Sequence, residues 1–161
     1  MILPIIKYPS KILRRKTRKV IFPLPTNIKK LIRDMASTVK KADGIGLAAP
    51  QVGQDLAIIV IDLETMGIPP FVLINPEVTQ FSRTKTDLEE GCLSIPGVFG
   101  IVTRPDKIVF KGYNIDGQEI SAQADGMLAK VLQHEIDHTN GILILDKIKK
   151  YTQGKELIKK K

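Results

Sequence analysis

The stretch from Asp125 to Gly141, with Gln133-His134-Glu135-Ile136-Asp137-His138 near its end, restricts the fold more than any other part of the chain. Asp125 suits a helix N-cap, and Asn140-Gly141 suits a C-terminal stop. At about 100° per residue, Met127, Val131, His134 and His138 fall on one face of the intervening helix. Leu128, Leu132 and Ile136 fall on another, and Glu135 lies between the two. A helix that is apolar on two sides is buried on two sides. The rest of the chain must therefore pack around it, with the histidines on an inward or cleft-lining face.

The surrounding pattern supplies what would pack there. Ile28, Leu31, Ile32, Met35, Val39 and Ala42 form a stripe of helical period, capped by Thr26 or Asn27. Ala57 to Leu63 reads as a buried strand. Phe71 to Thr79 reads as a second, at an edge or a bulge because Asn75-Pro76 interrupts it. Lys107 to Ile115 alternates as a strand, turns at Asp116-Gly117 and returns over Glu119 to Gln123. These elements predict an α+β fold, with antiparallel strands packed around a central helix. At 161 residues the chain is expected to be one domain. Residues 1–146 form the expected catalytic unit, and residues 147–161 a basic tail, helical or frayed.

His134 and His138 are the only histidines in the chain. Residues four apart on a helix stand about 5–6 Å apart at Cβ, so both rings can reach one metal ion. Two satisfied core histidines would be the plainer explanation, but the carboxylate of Glu135 between them argues for a metal with a base beside it. Any third ligand must be something other than His. The single cysteine, Cys92, lies in Glu90-Gly91-Cys92-Leu93-Ser94-Ile95-Pro96-Gly97, which reads as an irregular, constrained loop. It could be a buried structural residue, a nucleophile paired with His, or a thiolate ligand. The last option gives three protein ligands and one open position, the layout of a catalytic site. The segment Gly44 to Gly53 lacks the residues of a phosphate loop. It reads as a connector, or as a backbone edge for an extended peptide with the Gln51 amide facing a developing oxyanion.

Three segments together, Gly44-Ile45-Gly46-Leu47-Ala48-Ala49-Pro50-Gln51, Glu90-Gly91-Cys92-Leu93-Ser94 and the histidine motif, resemble in order and spacing the signature motifs of the peptide deformylases. The resemblance runs from about residue 3 to residue 147. It implies that Cys92, His134 and His138 bind one divalent metal, Fe²⁺ or Zn²⁺, and that Glu135 is the general acid/base. It implies an oxyanion site made by Gln51 and the Leu93 N–H. Gly46 and Gly91 would meet the substrate backbone, and Ile45, Met127 and Val131 would line a methionine pocket. The implied activity is removal of the N-formyl group from the initiator methionine of nascent polypeptides. A metal-bound water, with a pKa near 7, would attack the formyl carbon and release formate. Two positions depart from common members of the family. Lys130, expected to snorkel outward or alter the pocket rim, stands where an apolar residue is usual, and Phe99 where some members carry Arg. Arg104 is expected to steady a nearby loop through Asp43 or Glu90.

The net charge of +8 belongs to the ends. Residues 1–33 hold ten bases and no acid, residues 147–161 hold seven bases and one acid, and the middle holds eight bases against sixteen acids. The ends are either solvated surface or a contact for ribosomal RNA. There is no Trp and little aromatic interleaving for base stacking, and no DNA partner is expected. No apolar run approaches the ~20 residues of a membrane span, and the N-terminus lacks the pattern of a secretion signal. A cytoplasmic location is expected. Two other functions compete with deformylation. A metallopeptidase on the same helix motif would ordinarily take His or Glu, not Cys, as third ligand. A non-catalytic RNA-binding module would hold no metal.

Overall fold

The structure, a computed structural model, describes residues 1–158. Its elements are helix α1 (Thr26–Lys41), strands β1 (Gly46–Ala48), β2 (Ile58–Leu63), β3 (Ile68–Phe81), β4 (Lys85–Cys92), β5 (Ile95–Pro105), β6 (Lys107–Tyr113) and β7 (Glu119–Asp125), helix α2 (Gly126–Thr139) and strand β8 (Ile148–Gln153). The strands form two sheets, ordered β1-β2-β3-β6-β7 and β4-β5-β8, and every strand pairing is antiparallel. This is the α+β architecture expected from the sequence.

Strand β2 explains how the larger sheet lies between the two helices. Alternate side chains of a strand point to opposite faces. Ile59, Ile61 and Leu63 pack with Leu132 and Ile136 of α2. Ile58 and Val60 pack with Met35 and Val39 of α1. Residues 58–61 are covered on both faces and need no polar positions, so the strand is apolar there and carries its one acid, Asp62, only near its end. A third cluster joins Leu13, Ile95, Val98, Leu143 and Ile144, with Cys92, Ile148 and Tyr151 against it. It anchors the small sheet beside the end of α2.

Several expectations need correction. Helix α1 has Pro25 at its N-cap and begins at Thr26, so neither Thr26 nor Asn27 caps it. Strand β3 is bulged near Asn75, as expected, but it is central, paired to both β2 and β6. Asn75 has a positive φ of 51° and its side-chain amide bonds both the N–H and the C=O of Val20, so the interruption docks the N-terminal segment. Cys92 is not in an irregular loop. It is the last residue of β4, at a bulge in the β4–β5 hairpin, and Pro96-Gly97 lie within β5 rather than at a turn. The tail expected to be helical or frayed contains strand β8, paired with β5 over residues 148–153. Its last three residues, 159–161, lie outside the described residues. No helix among the described residues is long and apolar enough to cross a membrane.

Candidate metal centre and active site

Helix α2 carries His134 and His138 one turn apart, with ring centroids 5.1 Å from each other. The end of β4 brings Cys92 to them. Ligand atoms of Cys92, His134 and His138 all lie within 4.8 Å of one another, and the Cys92 Sγ is 3.4 Å from His138 Nε2. One thiol and two imidazoles at this spacing are a donor set suited to Zn²⁺ or Fe²⁺.

His134 is oriented from behind. His134 Nδ1 lies 3.0 Å from Glu90 Oε1. An ionised carboxylate only accepts, so Nδ1 carries a proton and Nε2 is the ring atom left to face the site. Glu90 is gripped from the other side by Arg104, whose Nε and Nη2 donate to its two oxygens at 2.6 and 2.9 Å. Arg104 Nη1 also donates to Asp137 at 2.9 Å. Of the two partners expected for Arg104, Glu90 is the one it meets. Burial alone would raise the Glu90 pKa, but the hydrogen bonds from His134 and Arg104 outweigh it and hold the carboxyl at about 2. Burial opposes a charge on His134 as well, yet its contacts with Cys92 and Glu90 raise its pKa well above the usual value. Loading a metal must displace that proton, so uptake weakens as pH falls. His138 is shifted the opposite way, down, by burial and then by the neighbouring His134 and Arg104.

Glu135 stands on the open side. Its Oε2 is 4.0 Å from His134 Nε2, and its buried Oε1 has no hydrogen-bond partner. Burial raises its pKa to about 7, against the attraction of His134. The Nδ1 of His138 is likewise buried without a partner. A desolvated carboxyl with a free oxygen beside three convergent donors fits a site built around a metal and a proton transfer.

A cavity of about 530 Å³ opens onto these groups. It is lined by Ile45, Gly46, Gln51, Gly91, Leu93, Met127, Val131, His134 and Glu135, together with Leu88, Glu89, Phe99 and Lys130. All of the expected metal, catalytic and substrate-binding residues therefore border it, except His138, which is buried. Gln51 is fixed at both ends. Its Oε1 accepts from the Ala48 N–H at 2.9 Å, and its Nε2 donates to Ser94 Oγ at 3.1 Å and faces Cys92 Sγ at 3.5 Å. The two glycines have a reason beyond backbone approach. A Cβ on Gly46 would stand 2.6 Å from Glu135 Oε2, and one on Gly91 would stand 2.4 Å from the Phe99 ring. Gly46 thus makes room for the carboxylate, and Gly91 for the ring.

The family model described as polypeptide deformylase matches residues 2–154. The chain belongs to the polypeptide deformylase family. A peptide deformylase from Dictyoglomus thermophilum is 48% identical over 147 residues, covering 91% of this chain and 93% of the relative. Among solved structures, the peptide deformylase from Thermotoga maritima superposes with a TM-score of 0.87 at 37% identity, covering 92% of this chain and 98% of that one. A class I type b peptide deformylase from Acinetobacter baumannii, solved with Met-Ala-Ser bound, superposes with a TM-score of 0.86 at 30% identity, covering 92% and 99% of the two chains.

Sequence reasoning did not foresee Glu90 as the group that orients His134. The available signal was a carboxylate two residues from a candidate ligand. Of the two expectations for Lys130, it does border the cavity, but it does not snorkel outward. The residue is buried, and its Nζ donates to the carbonyls of Thr86 and Arg104 at 2.8 and 2.9 Å.

Proposed function

We propose that this deformylase removes the formyl group from N-formyl-methionyl nascent peptides, using Cys92, His134 and His138 to hold one Fe²⁺ or Zn²⁺. When bound, such an ion supplies Lewis acidity that polarises the formyl group and brings the pKa of an attacking water down to about 7. Glu135 takes the proton of that water and returns it to the departing amine. The C–N bond breaks, and the products are formate and a peptide with a free amino terminus. Gln51 Nε2 and the Leu93 N–H donate to the oxygen that gains charge. One such donor is typically worth about 10²–10³ in rate. The bonds from Ala48 and to Ser94 support this role, because they fix the amide before substrate arrives.

The peptide lies extended between the edge strand β1 and the free edge of β4, meeting backbone at Gly46 and Gly91. Its methionine side chain enters the apolar cavity between Ile45, Met127 and Val131. We assign catalysis to a single unit over residues 1–146 and a cytoplasmic location, where formylated chains emerge. The basic ends offer a contact to the ribosome, with no part in DNA binding. Some of their charge is already paired, Lys147 with Asp137 and Lys149 with Asp87, so the contact falls to residues such as Lys11, Arg15 and Lys19.

The observation that carries the function is the convergence of three metal-binding donors on a cavity that also holds an unpartnered, proton-holding Glu135. The test is formate release from formyl-Met-Ala-Ser by protein prepared without oxygen and loaded with Fe²⁺ or Zn²⁺. Release is expected with either metal and none after chelation. A fully loaded protein that releases no formate contradicts the proposal.

A further inference from the structure

Lys130 is a buried charge that no step of the proposed reaction uses. Among the described residues its ammonium lies in no ion pair with a carboxylate. It donates to two backbone carbonyls, Thr86 of β4 and Arg104 of β5. Those two residues are direct register partners in the β4–β5 ladder. One side chain of α2 is therefore bonded to both strands of the hairpin at the same rung.

The position of Lys130 on the helix gives this contact a purpose. Residues 130, 134 and 138 follow one another at intervals of four and form one row along α2. Each reaches the hairpin. His138 meets Cys92 at the end of β4, His134 meets Glu90 two residues earlier, and Lys130 meets Thr86 four residues before that. The first two contacts belong to the metal centre and its support. The third involves none of the three candidate ligands, yet it holds the same strand to the same helix. Strand β4 carries Leu88, Glu89, Glu90, Gly91 and Cys92, all of which line the cavity. Burying an ammonium without a counter-ion is unfavourable, so a contact of this kind needs a return that an apolar side chain would not give.

We propose that Lys130 is a positioning residue, which ties the β4–β5 hairpin to α2 and thereby fixes the cavity wall and the place of Cys92 relative to the two histidines. Without the ammonium, two carbonyls at one rung of the hairpin lose a donor, and the hairpin stays tied to α2 only further along, through the contacts of His134 and His138, the Arg104–Asp137 pair and the Gln133–Pro105 bond. The wall then shifts where the peptide and the metal meet it. Misplacement by about 1 Å at a reacting centre can lower rates by about 10².

This inference rests on the proposed deformylation only for its kinetic part, so its test has two readouts. Lys130→Met keeps the stem and removes the charge. Lys130→Arg keeps donors for both carbonyls. In metal-loaded protein, Lys130→Met is expected to surrender its metal to a chelator at least roughly tenfold faster than the parent, and to show at least a roughly tenfold loss in kcat/KM that includes a raised KM. Lys130→Arg is expected to stay within about threefold of the parent in both. A purely structural role would lower the melting temperature while leaving KM and metal release in the folded fraction unchanged, and that result overturns the inference. So does a Lys130→Arg variant as impaired as Lys130→Met. If Lys130→Met does not fold, Lys130→Arg decides: parental metal release supports the inference and a tenfold faster release overturns it. If the parent itself releases no formate, the functional proposal fails, and the chelator assay still judges Lys130.

Discussion

Two carboxylates flank His134, and they are treated in opposite ways. Behind the ring, Glu90 has both oxygens bonded, to Arg104 and to His134, and is held at about 2. In front, Glu135 is buried more deeply, has one oxygen without a partner, and is pushed up to about 7. Desolvation acts on both and raises both. The difference lies in the partners. Glu90 receives a guanidinium in a two-point grip, so its charge is kept at any physiological pH. Glu135 receives no donor, so it can hold or release a proton near neutrality. The paired groups behind the ring act as scaffold, and the unpaired group in front of it is left free for chemistry. Environments that drive two carboxyl groups apart in pKa commonly mark a division of roles of this kind.

Either carboxylate can be altered without the other. Removing the proton carrier in front has the largest effect on turnover. Glu135→Gln is expected to lower formate release by roughly 10²–10⁴-fold while metal content stays near parental, measured by elemental analysis beside the activity assay. The same substitution sharpens the contrast through stability. In the metal-free protein the folded pKa of Glu135 lies above its unfolded value. Its contribution therefore favours the folded state below about 4.5 and is lost as pH rises through about 7. At pH 8 metal-free Glu135→Gln should accordingly be more stable than metal-free parent in urea. Removing the rear pairing acts on folding. Arg104→Leu leaves Glu90 and Asp137 facing an apolar side chain, and a loss of about 3–5 kcal/mol is expected in urea denaturation.

Smaller effects refine the picture. Gln51→Leu removes one donor from the proposed oxyanion site and should lower kcat by about 10²–10³, with metal content unchanged. The depressed pKa of Glu90 implies a stability term present above its unfolded pKa and lost as pH falls from about 4.5 to about 2, amounting to about 3 kcal/mol. Denaturation midpoints of metal-free parent and Glu90→Gln, followed from pH 6 downward, should converge across that window.

The parts legible in the sequence are those whose signal is local. Helix α2 announces itself by its caps and its two apolar faces, and β2 by an apolar run that both helices cover. The cluster of Cys92, His134 and His138 was legible because two histidines at a spacing of four, if they hold a metal, need one further ligand, and Cys92 was the conspicuous candidate. The β4–β5 hairpin was hidden for the opposite reason. Lys85-Thr86-Asp87-Leu88-Glu89-Glu90 is charged and poor in the β-branched and aromatic residues that mark strands. It becomes a strand through its ladder with β5, a tertiary fact. Strand β8 is similar. Ile148-Lys149-Lys150-Tyr151 looks like a solvated basic tail until β5 offers an edge to pair with. The inward turn of the Lys130 ammonium was not legible because a lysine is ordinarily exposed. Only the carbonyls of Thr86 and Arg104, brought together by that unforeseen hairpin, give its ammonium a place inside.

The central claim is that surroundings, not residue type, separate Glu90 from Glu135. Carbon-13 NMR titration of the side-chain carboxyls in metal-free protein tests it most directly. The account predicts that Glu135 titrates at about 7 and that Glu90 remains ionised down to about 2. Two carboxyls titrating together near their common unperturbed value of 4.5 would contradict it.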